Sequence, residues 1–491
     1  MLLGLCFGLS GCTPAPHDVV AADQELVAYP DYQGVTIPCN IAPLNFMLRG
    51  DYDAVAVTIC DAEGRECLKH QASGAKVIFD ADDWRQLLDT HRSQQLSVQL
   101  TARRSDDGQW LSFPAFDWTI SPDSIDRYIT YRLIEPGYEV WDNVVIEERC
   151  LESFDRRLLA DGHEMDNRCM NCHTHGGDRG QYSFFYVRGE NGGTLLNRDG
   201  RIRKVNLRSS RMQGGTVYGD WHPSGRFAVY STNVIIPAFH SVAAHRLEVY
   251  DTQSDLCVAD FERDSMLLSP LVSNTASQLE TFPAFSADGR SIYYCTAPNP
   301  CGDTIPSARD IRPYIERLRY SLCRIGFDPA TGTFGSQVDT IYNTRTREGS
   351  VNCPKCSPDG RYLCFTRSAA GTFPIWHSES TLCLLPLAAD SATVPQVIDT
   401  QQNGTYHTWS HNSQWLAFAS KRSDGQYGRV YFAHIDPRGI TKPLAMPQAD
   451  PEMDDWNLRS YNIPDLSDES MPYGAKESKM LMERIVSEPF K

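Results

Sequence analysis

Short runs that alternate apolar and polar residues dominate the first part of the chain and predict strands. Ala54–Ile59 and Leu96–Leu100 alternate with a period of two, which places one face of each strand in a core. Clusters of Gly, Asp and Ser separate such runs and predict turns. A single helix is predicted over Asp80–Arg92, which begins with acidic residues. Residues 24–117 are therefore predicted to form a small β domain, with an immunoglobulin-like sandwich as the expected architecture.

From about residue 118 the pattern repeats: a strand, a tight turn of the Pro-Asp-Gly kind, and a second strand rich in aromatic and aliphatic residues. The copies cover Phe282–Tyr294, Cys353–Phe365, Tyr218–Tyr230, Tyr406–Phe418 and, in divergent form, Ile120–Tyr131. Their equivalent positions are Trp221, Phe285, Cys356 and Trp409. These positions lie about 50 to 70 residues apart, the size of one propeller blade with loop insertions. One four-stranded sheet cannot bury both of its faces, so the units must stack radially and close a ring.

The repeats resemble the TolB-like, WD-like propeller repeats of bacterial envelope proteins over roughly Trp118–Ile463, and the turn Ser357–Arg361 is the sharpest match. Over a greater length the chain resembles propeller lipoproteins of the Bacteroidetes type, which are loosely described as TolB-like or cytochrome c related. The passages that carry this second resemblance are Tyr29–Tyr32, Ile41–Phe46, Tyr131–Pro136, Cys169–His173 and Gly192–Thr194. The resemblance implies an all-β fold with a six-bladed TolB-like β-propeller, and a place in the bacterial envelope.

The N-terminus predicts export. Met1–Gly11 is apolar, and Leu9–Cys12 resembles a bacterial lipobox in which Cys12 takes the lipid, although the basic n-region of a signal peptide is missing. A short buried segment is the alternative. Lipidation predicts a periplasm-facing protein anchored to a membrane, with the outer membrane expected, where it meets envelope protein partners.

Four parts are therefore expected along the chain: a lipoprotein signal and linker (1–23), the sandwich-like domain (24–117), the propeller with its Cys-x-x-Cys-His insertion (118–463) and a C-terminal tail (464–491). Within the tail, Asp465–Ser470 has the composition of a linker. Glu477–Ser487 predicts a short helix that either lies on the periphery or docks a partner.

Charge and cysteine content narrow the choice of partners and compartment. The formal net charge of -16, from 46 Lys and Arg against 62 Asp and Glu, disfavours nucleic-acid binding and adhesion to an anionic membrane. No long apolar run after the N-terminus predicts a membrane-spanning helix. The 16 cysteines favour an oxidising compartment. A hairpin turn between Cys60 and Cys67 predicts a cross-strand disulfide.

Cys169, Cys172 and His173 form a Cys-x-x-Cys-His motif. Two thiols at this spacing on one turn reach the two vinyl groups of a haem, and the next residue offers its imidazole to the iron. The motif predicts one haem c, bound through Cys169 and Cys172 and ligated by His173. The candidates for the sixth ligand are His222 and His240, with Met165, Met170 and Met212 as weaker ones. His175 is too close in sequence to reach the opposite face of the haem.

Two other interpretations of the motif stay open. Cys169 and Cys172 have the spacing of Phe282 and Phe285 in one repeat and of Cys353 and Cys356 in another, so they would pack or form a disulfide. A zinc site is the third possibility, because His163, His173 and His175 are close in sequence.

Two classes of function follow. With haem, the protein would transfer electrons or sense a small gas within an envelope complex. Without haem, it would be a protein–protein interaction scaffold with structural cysteines. No nucleophile elbow, phosphate loop or His-Glu-x-x-His motif supports an enzyme. A propeller hydrolase would need carboxylates at the central channel.

Overall fold

The computed structural model of this 491-residue chain describes residues 15–135, 143–176, 180–212, 214–239, 247–273, 277–301, 312–388, 395–398, 403–436, 439–484 and 490–491. Strands account for most of their regular structure, which confirms the all-β class. The chain divides into two compact units. The smaller unit runs to Ser124 and includes Glu152–Phe154 and Leu444–Trp456. The larger unit comprises Ile125–Leu151, Asp155–Pro443 and Asn457–Lys491.

The smaller unit contains two sheets and one long helix. Its seven-stranded sheet consists of Val20–Ala21, Val35–Ile37, Tyr52–Cys60, Glu66–Ser73, Gln95–Arg104, Trp110–Ser112 and Phe116–Ile120. Its three-stranded sheet consists of Ala28–Tyr29, Phe46–Leu48 and Lys76–Val77. The helices are Ala81–Thr90 and the short Met453–Trp456.

Burial in this unit follows the sequence pattern. Leu96, Val98 and Leu100 are buried at alternate positions of one strand, because successive side chains of a strand point to opposite faces. The helix begins at Ala81 because the Asp80 carboxylate accepts hydrogen bonds from two backbone amides of the first turn. Strand Phe116–Ile120 pairs within the seven-stranded sheet, so this unit extends past the boundary predicted at residue 117. The immunoglobulin-like assignment stays a prediction.

Antiparallel sheets of the propeller kind build the larger unit. The first sheet consists of Tyr128–Ile134, Val145–Cys150, Arg156–Asp161 and Ser460–Ser467, and the second of Met170–Gly176, Tyr182–Val187, Gly193–Arg198 and Arg201–Val205. The third consists of Thr216–Trp221, Phe227–Phe239, Leu247–Asp260 and Ser265–Leu267, and the fourth of Gln278–Phe285, Ser291–Pro298, Ser321–Asp328 and Thr333–Tyr342. The fifth consists of Ser350–Cys356, Tyr362–Ser368, Thr381–Pro386 and Gln396–Val397, and the sixth contains Gly404–Trp409, Trp415–Ser420, Arg429–Asp436 and Gly439–Ile440. They are called the first to the sixth sheet below. Strand Leu444–Ala445, the 3-10 helices His163–Met165 and Pro374–Trp376, and the α-helices Arg312–Ile315 and Ala475–Met482 complete the described elements.

A strand from the far end of the chain completes the first sheet. Ser460–Ser467 pairs antiparallel with Tyr128–Ile134, with Ser467 opposite Tyr128. It also contacts the innermost strands of the second and sixth sheets, and each other innermost strand contacts the next one in order. The predicted β-propeller is thereby confirmed. This strand runs past residue 463, so Asp465–Ser470 begins in a strand and is not wholly the linker that its composition predicted.

The innermost strands share one irregularity. Non-glycine residues with positive φ interrupt five of them at the same place: Tyr218 (49°), Phe282 (49°), Cys353 (50°), Tyr406 (31°) and Ile463 (51°). The strand pairing shifts register at each site, and the second sheet shifts between Asn171 and Thr174. Because L residues rarely adopt positive φ, the recurrence of this bulge at one place in the strands marks it as a regular part of the fold. The bulge sets which residue of each strand faces the ring axis.

The C-terminal helix packs on the core of the larger unit. Leu481 and Met482 are buried with Met165 and Met170, and the Ser478 hydroxyl donates to a backbone carbonyl at 2.7 Å. The helix predicted over 477–487 therefore exists over Ala475–Met482; Leu481 and Met482 pack within its own unit, whereas Met480 is exposed. No helix among the described residues is long and apolar enough to cross a bilayer.

Candidate binding site in the axial channel

The residues that follow the repeated bulge line a narrow part of the axial channel. They are His173, Gly219, Pro283, Pro354, His407 and Pro464. The cavity there has a volume of about 70 Å³. A cavity of this volume admits water molecules but no large ligand.

His173 is enclosed in this cavity. Its side chain is buried, and neither ring nitrogen makes a hydrogen bond of normal geometry to a described residue. Burial lowers the pKa of His173 to about 3, so the imidazole is neutral at physiological pH. His407 is also buried, its Nε2 lies 3.1 Å from the carbonyl oxygen of Cys364, and burial lowers its pKa to about 3. The narrow part of the channel is therefore lined by uncharged imidazoles.

A wider mouth of about 210 Å³ continues from this cavity, with Lys355 and Asp465 lining both. Lys355 Nζ lies 2.5 Å from Asp220 Oδ1, and Asp220 Oδ2 accepts from the Phe285 amide at 2.8 Å. Burial opposes the charge of Lys355, but the carboxylates of Asp220 and Asp465 outweigh it and raise its pKa. The ammonium is therefore retained at the mouth.

Asp465 is fixed by two neighbouring strands. One carboxylate oxygen accepts from the His175 amide at 2.7 Å, and the other accepts from the Thr408 hydroxyl at 2.9 Å. The His175 ring is held by Thr130, whose Oγ1 lies 3.0 Å from Nε2. The carboxylate at the centre of the mouth is thus positioned by the fold itself.

A second ion pair lies on the rim. His411 Nδ1 lies 2.5 Å from Asp126 Oδ1, and the His411 amide donates to the same carboxylate at 3.1 Å. Burial raises the pKa of Asp126, and the contact with His411 offsets part of that effect. Asp468, Trp221 and Trp409 complete this wall. The mouth therefore presents the carboxylates of Asp126, Asp220, Asp465 and Asp468 around the ammonium of Lys355, beside two indole rings.

The Cys-x-x-Cys-His motif lies at the start of the second sheet, and its His173 lines this channel. Cys169 immediately precedes strand Met170–Gly176, and His173 lies within that strand. The side chain of Cys172 is outside the described residues, as are Cys12 and His240. The strand is extended, whereas haem attachment was expected on one turn of the chain. Moreover, the described side chains leave a cavity of only about 70 Å³ beside the His173 ring, too small for a porphyrin. The haem therefore stays a prediction of the sequence.

His222, predicted as a metal ligand, has a structural position. Its Nδ1 lies 2.8 Å from Ser224 Oγ, and its Nε2 lies 3.2 Å from the carbonyl oxygen of Gly289. The ring also packs edge-on against Phe285. Both ring nitrogens are engaged, so His222 is unavailable to a metal and instead joins the third and fourth sheets.

The remaining ligand candidates are also engaged elsewhere. Met165 and Met170 are buried in the apolar core, and Met212 packs against another core cluster. His163, part of the zinc alternative, is exposed and its ring contacts Asn143 and Asn167. Among the residues that the structure describes, no group of three His, Cys, Asp or Glu side chains is placed to hold a metal ion.

The predicted disulfide is absent. Cys60 lies opposite Glu66, and the register shift at this point leaves Cys67 unmatched. Both are free thiols, as is every other cysteine whose side chain the structure describes. The predicted hairpin exists, but its register keeps the two cysteines from facing each other.

The charged residues of the mouth escaped notice in the sequence, although a signal was present. Asp220 and Lys355 stand directly before Trp221 and Cys356, two of the equivalent positions of the repeats. Their side chains face the channel where the matching residue Ala284 of another repeat is small and apolar. A charge at this recurring position is the pattern that identifies the site.

Comparison with protein families finds no match, and neither does a search of curated proteins. Solved structures show distant likeness. TolB from Acinetobacter baumannii is 9% identical, with a TM-score of 0.45, over 79% of this chain and 86% of that one. A hypothetical selenium-binding protein from Sulfolobus tokodaii is 7% identical, with a TM-score of 0.39, over 86% and 94%. The β-propeller domain of the Trilobed protease from Pyrococcus furiosus is 10% identical, with a TM-score of 0.33, over 72% and 81%. The propeller assignment therefore rests on the order and pairing of the sheets.

Proposed function

We propose that this protein is a haem-free, TolB-like interaction scaffold in which the six sheets form six blades, and that it holds a cationic segment of a partner protein at the channel mouth. The observation that carries this proposal is the surplus of carboxylates over cations at the mouth, beside the rings of Trp221 and Trp409. Lysine and arginine side chains are attracted both by carboxylates and by the faces of indole rings.

The carboxylates are suited to binding because they are already in place. Asp220 and Asp465 each accept hydrogen bonds from the protein that fix their orientation. A carboxylate can accept about four hydrogen bonds in all, so capacity remains for a ligand. Binding to such fixed groups avoids the cost of ordering them.

A labelled basic peptide tests the proposal. Fluorescence anisotropy would compare a short peptide of arginine and lysine with a glutamate peptide of the same length, on the full chain. We expect saturable binding of the basic peptide and several-fold weaker binding by Asp468→Asn, since each lost contact of this kind is worth about 1 kcal/mol. Glu190→Gln is the matched control, because Glu190 is exposed and belongs to another sheet's connection. Equal binding of both peptides, or equal loss in the two variants, would reject the proposal.

We also propose that Cys12 carries a lipid that anchors the protein in the cell envelope, facing the periplasm. The sequence Leu9–Cys12 supports this proposal. Metabolic labelling with a radioactive fatty acid in a bacterial host should label the parent and Cys6→Ala but not Cys12→Ala. Label retained in Cys12→Ala would contradict lipidation at this residue.

A further inference from the structure

A second cavity in the larger unit lies between the fourth and fifth sheets and shares no lining residue with the axial channel. Its volume is about 450 Å³, within the range of small-molecule sites. Three arginines from separate stretches of the chain line it. Arg319 precedes a strand of the fourth sheet, Arg347 lies in the connection between the two sheets, and Arg367 lies on a strand of the fifth. Each is partly buried, so the fold, not a basic run of sequence, brings these charges together.

The three segments are fastened to one another. The Ser350 hydroxyl accepts from the Tyr320 amide at 3.0 Å and donates to the Gly371 carbonyl at 2.7 Å. The Thr344 hydroxyl donates to the Arg319 carbonyl at 3.2 Å. Since Ser350 and Tyr320 are fully buried, the framework that carries the arginines is rigid.

Described contacts orient two of the guanidinium groups. Arg319 Nη1 donates to the carbonyl oxygens of Glu316 and Leu318, at 2.7 and 2.8 Å. The Arg347 guanidinium lies 5.1 Å from the centre of the Tyr342 ring, a cation–π distance. Each of these contacts restricts the position of the guanidinium that makes it.

A glycine keeps the floor of the cavity open. Gly349 has a φ of +94°, and a Cβ there would lie 2.8 Å from Arg367 Cγ and 2.9 Å from the Ser368 carbonyl oxygen. A side chain at residue 349 would therefore displace Arg367. The backbone approaches this arginine closely because the residue is glycine.

The acidic residues of the wall compensate the arginines only in part, since the charge of Glu348 acts on Arg367. Glu379 lies 2.7 Å from His377 Nδ1 and accepts from the Ala369 amide at 3.1 Å. The buried His377 also contacts Glu248, at 2.7 Å from Nε2. Glu348 is exposed. Three arginines against two glutamates in the lining leave a positive surplus in a chain whose formal net charge is -16.

The geometry points to a binding site for a small organic anion, one that presents a carboxylate or phosphate group to Arg319, Arg347 and Arg367. Guanidinium groups bind both oxyanions through paired N–H donors. This site is separate from the proposed cation site of the channel mouth, and its test is independent of it.

Calorimetric titration of the full chain with succinate and with inorganic phosphate tests the inference. Succinamide, the neutral analogue of succinate, controls for shape. We expect saturable binding of one or both anions and none of succinamide, with affinity reduced about tenfold or more in Arg347→Gln and Arg367→Gln. Arg324→Gln removes the same charge from an exposed pair in the fourth sheet and should leave the affinity unchanged.

Each outcome decides a different point. Binding of succinate alone identifies a carboxylate ligand, and binding of phosphate alone identifies a phosphorylated one. Absence of saturable binding for both anions, binding of succinamide equal to succinate, or equal weakening in Arg324→Gln would overturn the inference. Melting curves without ligand establish that each variant is folded. Gly349→Ala displaces Arg367 without removing a charge, so it should also weaken anion binding. Asp468→Asn should leave anion binding intact, which separates a failure here from a failure at the channel mouth.

Discussion

Replacing Lys355 with glutamine removes the ammonium that faces Asp220 across the channel mouth. Breaking a fully buried ion pair by deleting one partner costs about 3 to 5 kcal/mol, because the other charge is left uncompensated. In this pair the side chains of Lys355 and Asp220 are 28% and 15% exposed, so water compensates part of the loss. We expect a decrease of about 2 kcal/mol in the free energy of unfolding at pH 7.

The pH dependence of this contribution has a definite sign. The pKa of Lys355 is raised in the folded protein, so its stabilisation is complete below the unfolded value of about 10.4 and is lost as pH rises through the folded pKa. The difference in stability between the parent and Lys355→Gln should therefore be constant from pH 7 to 9 and shrink only at more alkaline pH.

Urea unfolding followed by tryptophan fluorescence measures the effect. Arg324→Gln is the control, since the Arg324–Asp339 pair is exposed by 42% and 56% and should cost less than about 1 kcal/mol. Adding Asp220→Asn to Lys355→Gln should recover part of the loss, because Asp220 then no longer carries an uncompensated charge. A Lys355→Gln variant no less stable than Arg324→Gln, or a double variant whose loss equals the sum of the single losses, would refute the reasoning.

Three further predictions concern other parts of the molecule. The pKa of His377 is raised to about 9 by its two glutamate partners, which outweigh its burial, so the charged His377 stabilises the fold fully below about pH 6.5, and this stabilisation is lost as pH rises through 9. The melting temperature of His377→Gln should therefore lack this pH dependence. A pH dependence equal to the parent's would contradict the assignment. Gly289→Ala should lower the free energy of unfolding by about 3 kcal/mol, because φ is +69° and the new Cβ would lie 2.0 Å from His222. Gly425→Ala, with open space around it, should lower it by about 1 kcal/mol. Equal losses in urea unfolding would show that the contact with His222 is unimportant. Expression with haem-attachment machinery should yield no band by haem-peroxidase staining, in the parent or in Cys172→Ala, and a covalent haem band in the parent alone would disprove the haem-free assignment.

The repeated turn made the propeller predictable. In three repeats a serine hydroxyl donates to the Asp or Asn two residues later: Ser286 to Asp288, Ser357 to Asp359, and Ser410 to Asn412, at 2.6 to 2.7 Å. Each such bond depends on residues close in sequence, so the local pattern identified it. The closing strand was not predictable in the same way, because its partner strand lies far away along the chain.

The cysteine motif could not be interpreted from the sequence alone for a related physical reason. A Cys-x-x-Cys-His spacing is the same whether the backbone is a turn or a strand, and only the three-dimensional register distinguishes them. In the structure, the register shift at residue 172 is equivalent to the bulges at Phe282 and Cys353. The spacing of the cysteines alone instead makes residue 172 equivalent to Phe285 and Cys356. His173 is buried by residues from all the innermost strands. These residues are far apart in the sequence, so the residues next to His173 could not predict its burial.

Closure of the propeller by Ser460–Ser467 has a consequence for biosynthesis. Strand Tyr128–Ile134 leaves the ribosome long before its partner, as the Arg132–Asn462 contact spans 330 positions. During that interval the early strand exposes an unpaired edge, which is a template for pairing with another nascent chain. A premature stop codon before Ser460 would remove this strand and the C-terminal helix, leave most of the sheets intact, and make that edge permanent. We expect such truncated chains to accumulate as aggregates rather than as partly active monomers.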